Sequence, residues 1–122
     1  MKKMVVLLVI FLLTVSVVGC GENPNELNED VYDIGCKVVD ICEEYLDTDI
    51  DVKEAADRIG RLDEQLEGLD IELRTDEKLL CEKISLLAIK LDNKSIFGDK
   101  ASITDTEIKK ELDGIKESLG IE

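Results

Sequence analysis

Between Leu27 and Leu119, apolar residues return every three or four positions in four separate stretches, and most of these stretches carry their own start or stop signal. That spacing matches the 3.6-residue period of a helix face, and it excludes most other folds. The first stretch runs Leu27, Val31, Ile34, Val38, Ile41, Tyr45, widened by Tyr32, Val39, Cys42 and Leu46. Asn23 as cap, Pro24 at the first helical position and Glu26 three residues after the cap predict its start. Asp33, Lys37, Asp40 and Glu44 mark its wet side. The second stretch is predicted from Val52 to about Glu67, opened by Asp51 with Glu54 and stopped by Gly68. The third, about Asp76 to Asp92, carries Leu80, Ile84, Leu87 and Leu91, with Leu79, Leu86 and Ile89 off that stripe. Apolar on more than one side, it is predicted to be the most buried helix. Thr104 with Glu107 opens the fourth, whose stripe is Ile108, Leu112, Ile115 and Leu119, ending at Gly120; Gly114 inside it costs about 1 kcal/mol against Ala.

No alternating run is long enough to predict a strand. Leu69–Leu73 alternates for five residues and reads as an extended linker with its apolar side chains tucked under the helices. The connection from Asn93 to Ile103 is expected to be a loop anchored by Ile96-Phe97-Gly98. None of these helices would be stable alone. The expected fold is therefore all-α, a small antiparallel bundle of about four helices over residues 25–122.

Ahead of this domain lies a different composition. Met1-Lys2-Lys3 is followed by an almost wholly apolar Met4–Val18 of 15 residues, and Val17-Val18-Gly19-Cys20 closes the leader at its junction with polar sequence. A membrane-spanning helix needs about 20 apolar residues, and Glu22, Asn23 and Glu26 allow no extension. The order of charged, apolar and small residues is that of an export signal. The last four resemble the lipobox of bacterial lipoprotein precursors. The resemblance implies cleavage after residue 19, acylation of the Cys20 thiol and a lipid-anchored segment over residues 20–24. It also implies residence at the cell membrane or outer membrane, outside the cytoplasm. Gly21 is not the Asp that resembles an inner-membrane retention signal.

Without residues 1–19 the chain has 29 acids against 13 bases, a net charge of −16, and Glu22–Asp51 alone has 11 acids and one base. Such a surface repels phosphate backbones, which excludes nucleic acid as a partner. It repels anionic headgroups as well, so membrane contact is expected through the lipid and not through a basic patch. Tyr32, Tyr45 and Phe97 are the only aromatic residues after the leader, too few for stacking platforms.

Three cysteines remain once Cys20 is assigned to lipid. Cys36 and Cys42 are separated by a helical rise of about 9 Å, beyond disulfide reach. An internal bond is thus expected to use Cys81, paired with Cys36 or alternatively with Cys42; three reduced thiols are the other outcome. The chain has no histidine and no paired short cysteine spacing, which argues against zinc. Asp47, Asp49 and Asp51 resemble the opening of a calcium loop, but Val52 stands where Gly is needed and Arg58 where Glu is needed. No general base, nucleophile–base pair or phosphate loop is recognisable, so no catalytic residue and no cofactor beyond the lipid are expected. The expected function is non-enzymatic binding of another envelope protein. The alternative is an acidic binder of cations or small ligands in the Glu22–Asp51 region.

Overall fold

The structure is a computed structural model, and it describes residues 22–121. Among these residues there are four α-helices and no strand: α1 Glu29–Leu46, α2 Val52–Glu67, α3 Thr75–Phe97 and α4 Asp105–Leu119, with a 3-10 turn at Gly98–Lys100. The all-α bundle expected from the periodicity is what forms.

Hydrogen bonds at the two ends give the helix directions. At one end Asn25 Nδ2 donates to Ser118 O (3.0 Å) and Arg74 Nη2 to Asn25 O (3.1 Å), joining the approach to α1, the start of α3 and the end of α4. At the other, Tyr45 Oη donates to Asp105 Oδ1 (2.6 Å) and Lys94 Nζ to the same oxygen (2.9 Å), joining the ends of α1 and α3 to the start of α4. Helices α1 and α3 therefore run one way and α4 the other. Packing is closest between α2 and α3, then α3 and α4, and α1 and α3 face each other across the diagonal.

The stripes meet in one core. Val31, Val38, Ile59, Leu80, Ile84, Leu87, Leu91, Ile108, Ile115 and Leu119 are inaccessible to solvent. Leu69, Ile71 and Leu73 pack against this core while Asp70 and Glu72 stay exposed, so the linker tucks in as its alternation suggests. Among the described residues the cluster runs from Leu27 to Ile121 and draws on all four helices. Gly35 lets α4 approach α1: a methyl group there would stand 2.8 Å from Leu119 Cδ2.

Three local expectations are corrected. The first helix starts at Glu29, capped by Asn28, whose Oδ1 accepts from Asp30 N at 2.9 Å. Asn23 and Glu26 instead have positive φ, and Asn23 clasps Leu27 through both its amide atoms. The displacing force is tertiary. Asn28 N donates to Glu77 Oε2 of α3, and Pro24 packs over Gly120, which fixes residues 24–28 as a strap. Second, α3 continues five residues past Asp92, and the break comes at Gly98, whose φ is +56°. Third, Ile96 and Phe97 do not anchor a loop; they are 64% and 57% exposed, and Ile103 is the residue that tucks in.

Candidate interaction surface

Cys20 lies outside the described residues. Of the other cysteines, Cys42 and Cys81 are free thiols, so neither the Cys36–Cys81 nor the Cys42–Cys81 crosslink forms. The reason is the diagonal placement of α1 and α3. Buried Cys42 has Glu43 and Lys116 of α4 as its charged neighbours, whereas half-buried Cys81 has Asp63 of α2 and Glu77. The two thiols look toward different helices. Burial pushes the Cys42 thiol up to about 12, which leaves it inert as a nucleophile. Buried Cys36 is disulfide-bonded.

The acidic corner does not assemble a cation site. Asp51 caps α2 by accepting from Glu54 N at 2.8 Å, and Asp47 terminates α1. Thr48 between them has a φ of +64°, a tight turn that separates the carboxylates. Among the described residues no group of three acidic or cysteine side chains is placed to hold a metal.

An open groove of about 410 Å³ runs between α1 and α2, lined by Lys37, Asp40, Glu44, Arg58, Arg61 and Leu62 among others. Its charges already answer one another: Arg58 Nη1 sits 3.1 Å from Glu44 Oε2. Partial burial, with Glu43 and Glu44 nearby, raises the Asp40 carboxyl above its ordinary value. No nucleophile faces it, and nothing in its lining distinguishes it from a solvated ion-pair ladder.

Two polar locks close the ends of the bundle. Glu77, 3% exposed, accepts from Arg74 N at 2.8 Å and Asn28 N at 2.5 Å. Those two backbone donors, the Arg74 amide first, hold its carboxyl below the usual range. At the other end Asp105 is held low by the Tyr45 hydroxyl and then by Lys94, while burial and the Asp105 hydrogen bond raise the Tyr45 phenol. Both clusters have a structural use: the first ties the cap of α1 to the first turn of α3, and the second joins α1, α3 and α4. Periodicity places Tyr45 on the main apolar stripe of the first helix and gives no sign of its polar partners.

The feature left without an internal use is on α3. All five large apolar side chains that stand exposed among the described residues belong to this helix: Leu79 (49%), Leu86 (43%), Ile89 (57%), Ile96 (64%) and Phe97 (57%). The expectation that α3 is buried on more than one side is thus corrected, since Leu79, Leu86 and Ile89 face outward, opposite the Leu80–Ile84–Leu87–Leu91 stripe. On a chain with 36% charged residues these five side chains make the outer face of α3 the most apolar exposed surface among the described residues, interrupted by Glu82 and Asn93. No helix among the described residues is long and apolar enough to cross a membrane.

Comparison with protein-family models, curated proteins and solved structures returned no match to this chain.

Proposed function

We propose that the chain is a lipid-tethered, non-enzymatic protein-binding module of a bacterial envelope, anchored through Cys20 and docking its partner on the outer face of α3. The observation that carries the binding role is the exposed apolar strip on an otherwise charged bundle. The leader sequence supports the anchor: two lysines, a short apolar run and Val17-Val18-Gly19-Cys20. Two or more acyl chains hold a protein durably at a membrane where one chain is marginal. The covalent lipid is the only added group the reading requires, and it places the domain outside the cytoplasm, on the cell membrane or outer membrane.

Acylation consumes the Cys20 sulfur, and a disulfide at Cys20 would consume the same atom, so one mass measurement separates the two fates. Intact-mass analysis of the chain recovered from membranes is expected to show acyl mass, absent from the Cys20→Ala variant. A mature chain without acyl mass, whose mass rises on reduction alone, overturns the anchor. A photo-crosslinking residue at Ile89 tests the binding face in intact cells; it is expected to capture a protein that the same probe on the α1–α2 groove, at Arg61, does not.

A further inference from the structure

The exposed face of α3 has a period of its own. Leu79, Glu82, Leu86, Ile89, Asn93 and Ile96 are spaced three, four, three, four and three residues apart, the a/d seam of a coiled coil. The core stripe of the same helix follows a different set of positions, so α3 carries two apolar seams back to back. One is filled by α1, α2 and α4, and the other has no covering element among the described residues.

The two polar seam positions decide what fits. In a parallel pair each residue meets its own copy, which stacks Glu82 on Glu82, carboxylate against carboxylate. In an antiparallel pair a positions meet d positions. With the dyad between Leu87 and Ala88, Leu79 meets Ile96, Leu86 meets Ile89, and Glu82 meets Asn93, each on the second copy. Every apolar residue then faces an apolar one. The Glu82 carboxylate accepts from the Asn93 amide twice, once on each side of the dyad. A strip that matches itself in this way is the signature of an isologous twofold interface.

The flanks are compatible with such a pair. Lys83 and Lys90 border the seam on one side, and like charges there would repel across the dyad. Both are turned toward α4: Lys83 Nζ donates to Ser118 Oγ (2.7 Å) and Gly114 O (3.2 Å), and Lys90 Nζ to Glu111 Oε1 (2.9 Å). On the other side Ser85 Oγ donates to Asp63 Oδ1 of α2 at 2.6 Å. The bundle itself draws these three side chains off the rims of the strip, while Lys78 and Asp92 stay exposed on the Ser85 side.

We infer that the occupant of the α3 face is a second copy of this chain, paired antiparallel through the Leu79–Ile96 seam. The inference rests on the protein-binding reading of this face and names its partner. The seam is about 26 Å long, under five turns of helix. Tethering to one surface would favour it by raising the local concentration.

Sedimentation equilibrium of the mature chain in density-matched detergent is expected to show a monomer–dimer equilibrium between about 10 and 500 µM, with no larger species. Leu86→Glu, on a side chain that the fold leaves exposed, is expected to shift it at least tenfold toward monomer with the helical circular dichroism unchanged. Orientation is read by oxidative crosslinking in a Cys81→Ser background. Mixed Leu79→Cys and Ile96→Cys chains are expected to join, and neither is expected to join to itself. Self-crosslinking of Leu79→Cys would show a parallel pair and overturn the register. A monomer at 500 µM overturns self-pairing. The binding reading then stands or falls separately, on whether the Ile89 probe captures a different envelope protein.

Discussion

Glu77 is the carboxylate whose loss this fold feels most. It is buried, yet two backbone amides from different segments donate to it, which favours the charged form. Glu77→Gln keeps the shape but loses the charge and turns an N–H toward donors. A loss of about 2–3 kcal/mol is expected in urea unfolding. The sign of the pH dependence follows from the lowered value: the contribution is whole above the ordinary carboxylate range, about 4.3, and is lost as pH falls through the folded value. In the Gln variant that acid limb should be shallower. Tyr32 presents the opposite case. Its ring is 4% exposed and its hydroxyl has no hydrogen-bond partner among the described residues. Burying an unmet hydroxyl costs about 1–3 kcal/mol, so Tyr32→Phe is expected to raise stability, by about 1 kcal/mol. A melting point that falls instead would mean that the hydroxyl has found a donor or acceptor in solution.

At the scale of elements, two glycines sit in helix interiors with room for a side chain. A methyl group at Gly60 of α2 would meet nothing within 4 Å, and one at Gly114 of α4 only the Lys83 Cδ at 4.0 Å. Gly60→Ala and Gly114→Ala are each expected to stabilise by about 1 kcal/mol, additively, since they lie on different helices. Gly35→Ala is expected to gain nothing, because its methyl group would press on the buried Leu119. The same contrast explains what was legible in the sequence. Local chemistry placed α2 and α4 to the residue: Asp51, Gly68, Thr104 and Gly120 act through bonds to their own helix. The start of α1 is not legible locally, because Asn23-Pro24-Asn25-Glu26 satisfies the capping rule while Glu77, 49 residues on from Asn28, pulls the strap elsewhere. For α3 the periodicity showed two apolar faces, and both exist. What it lacked was the number of neighbours: a bundle of four helices can bury only one face of each, so the second face had to stand outside. The cysteine pairing failed for the same reason, since helix order around the ring is not written in spacing.

At the scale of the whole molecule, the surface works against the core. The chain carries 29 acids and 15 bases, and Arg58–Glu44, its cross-helix pair at the α1–α2 groove, is about 40% exposed on both sides. Pairs of that exposure contribute little, whereas the repulsion of a net charge of −16, counted without residues 1–19, acts across the bundle. Added salt therefore relieves more than it breaks. Raising sodium chloride from about 10 mM to 1 M shortens the screening length from about 30 to 3 Å, and the melting temperature of the monomer, measured at a few micromolar, is expected to rise steadily. Mild acid should act in the same direction, since Asp40, raised by burial and by Glu43 and Glu44, binds its proton more tightly folded than unfolded. Below about pH 4 the loss of the Glu77 lock takes over, so stability is expected to peak on the acid side of neutrality. Asp40→Asn isolates the upper limb: its melting point at pH 7 should exceed the parent's, and the gap should close as pH falls toward 4. A melting temperature that drops with salt would place the stability of this bundle in its ion pairs, and with it the case for an apolar seam as the surface's one strong contact would weaken. Repulsion between two such acidic domains is also what a pair on α3 must overcome. The dimer should therefore tighten with salt along the same axis, which an interface built on charge would not do.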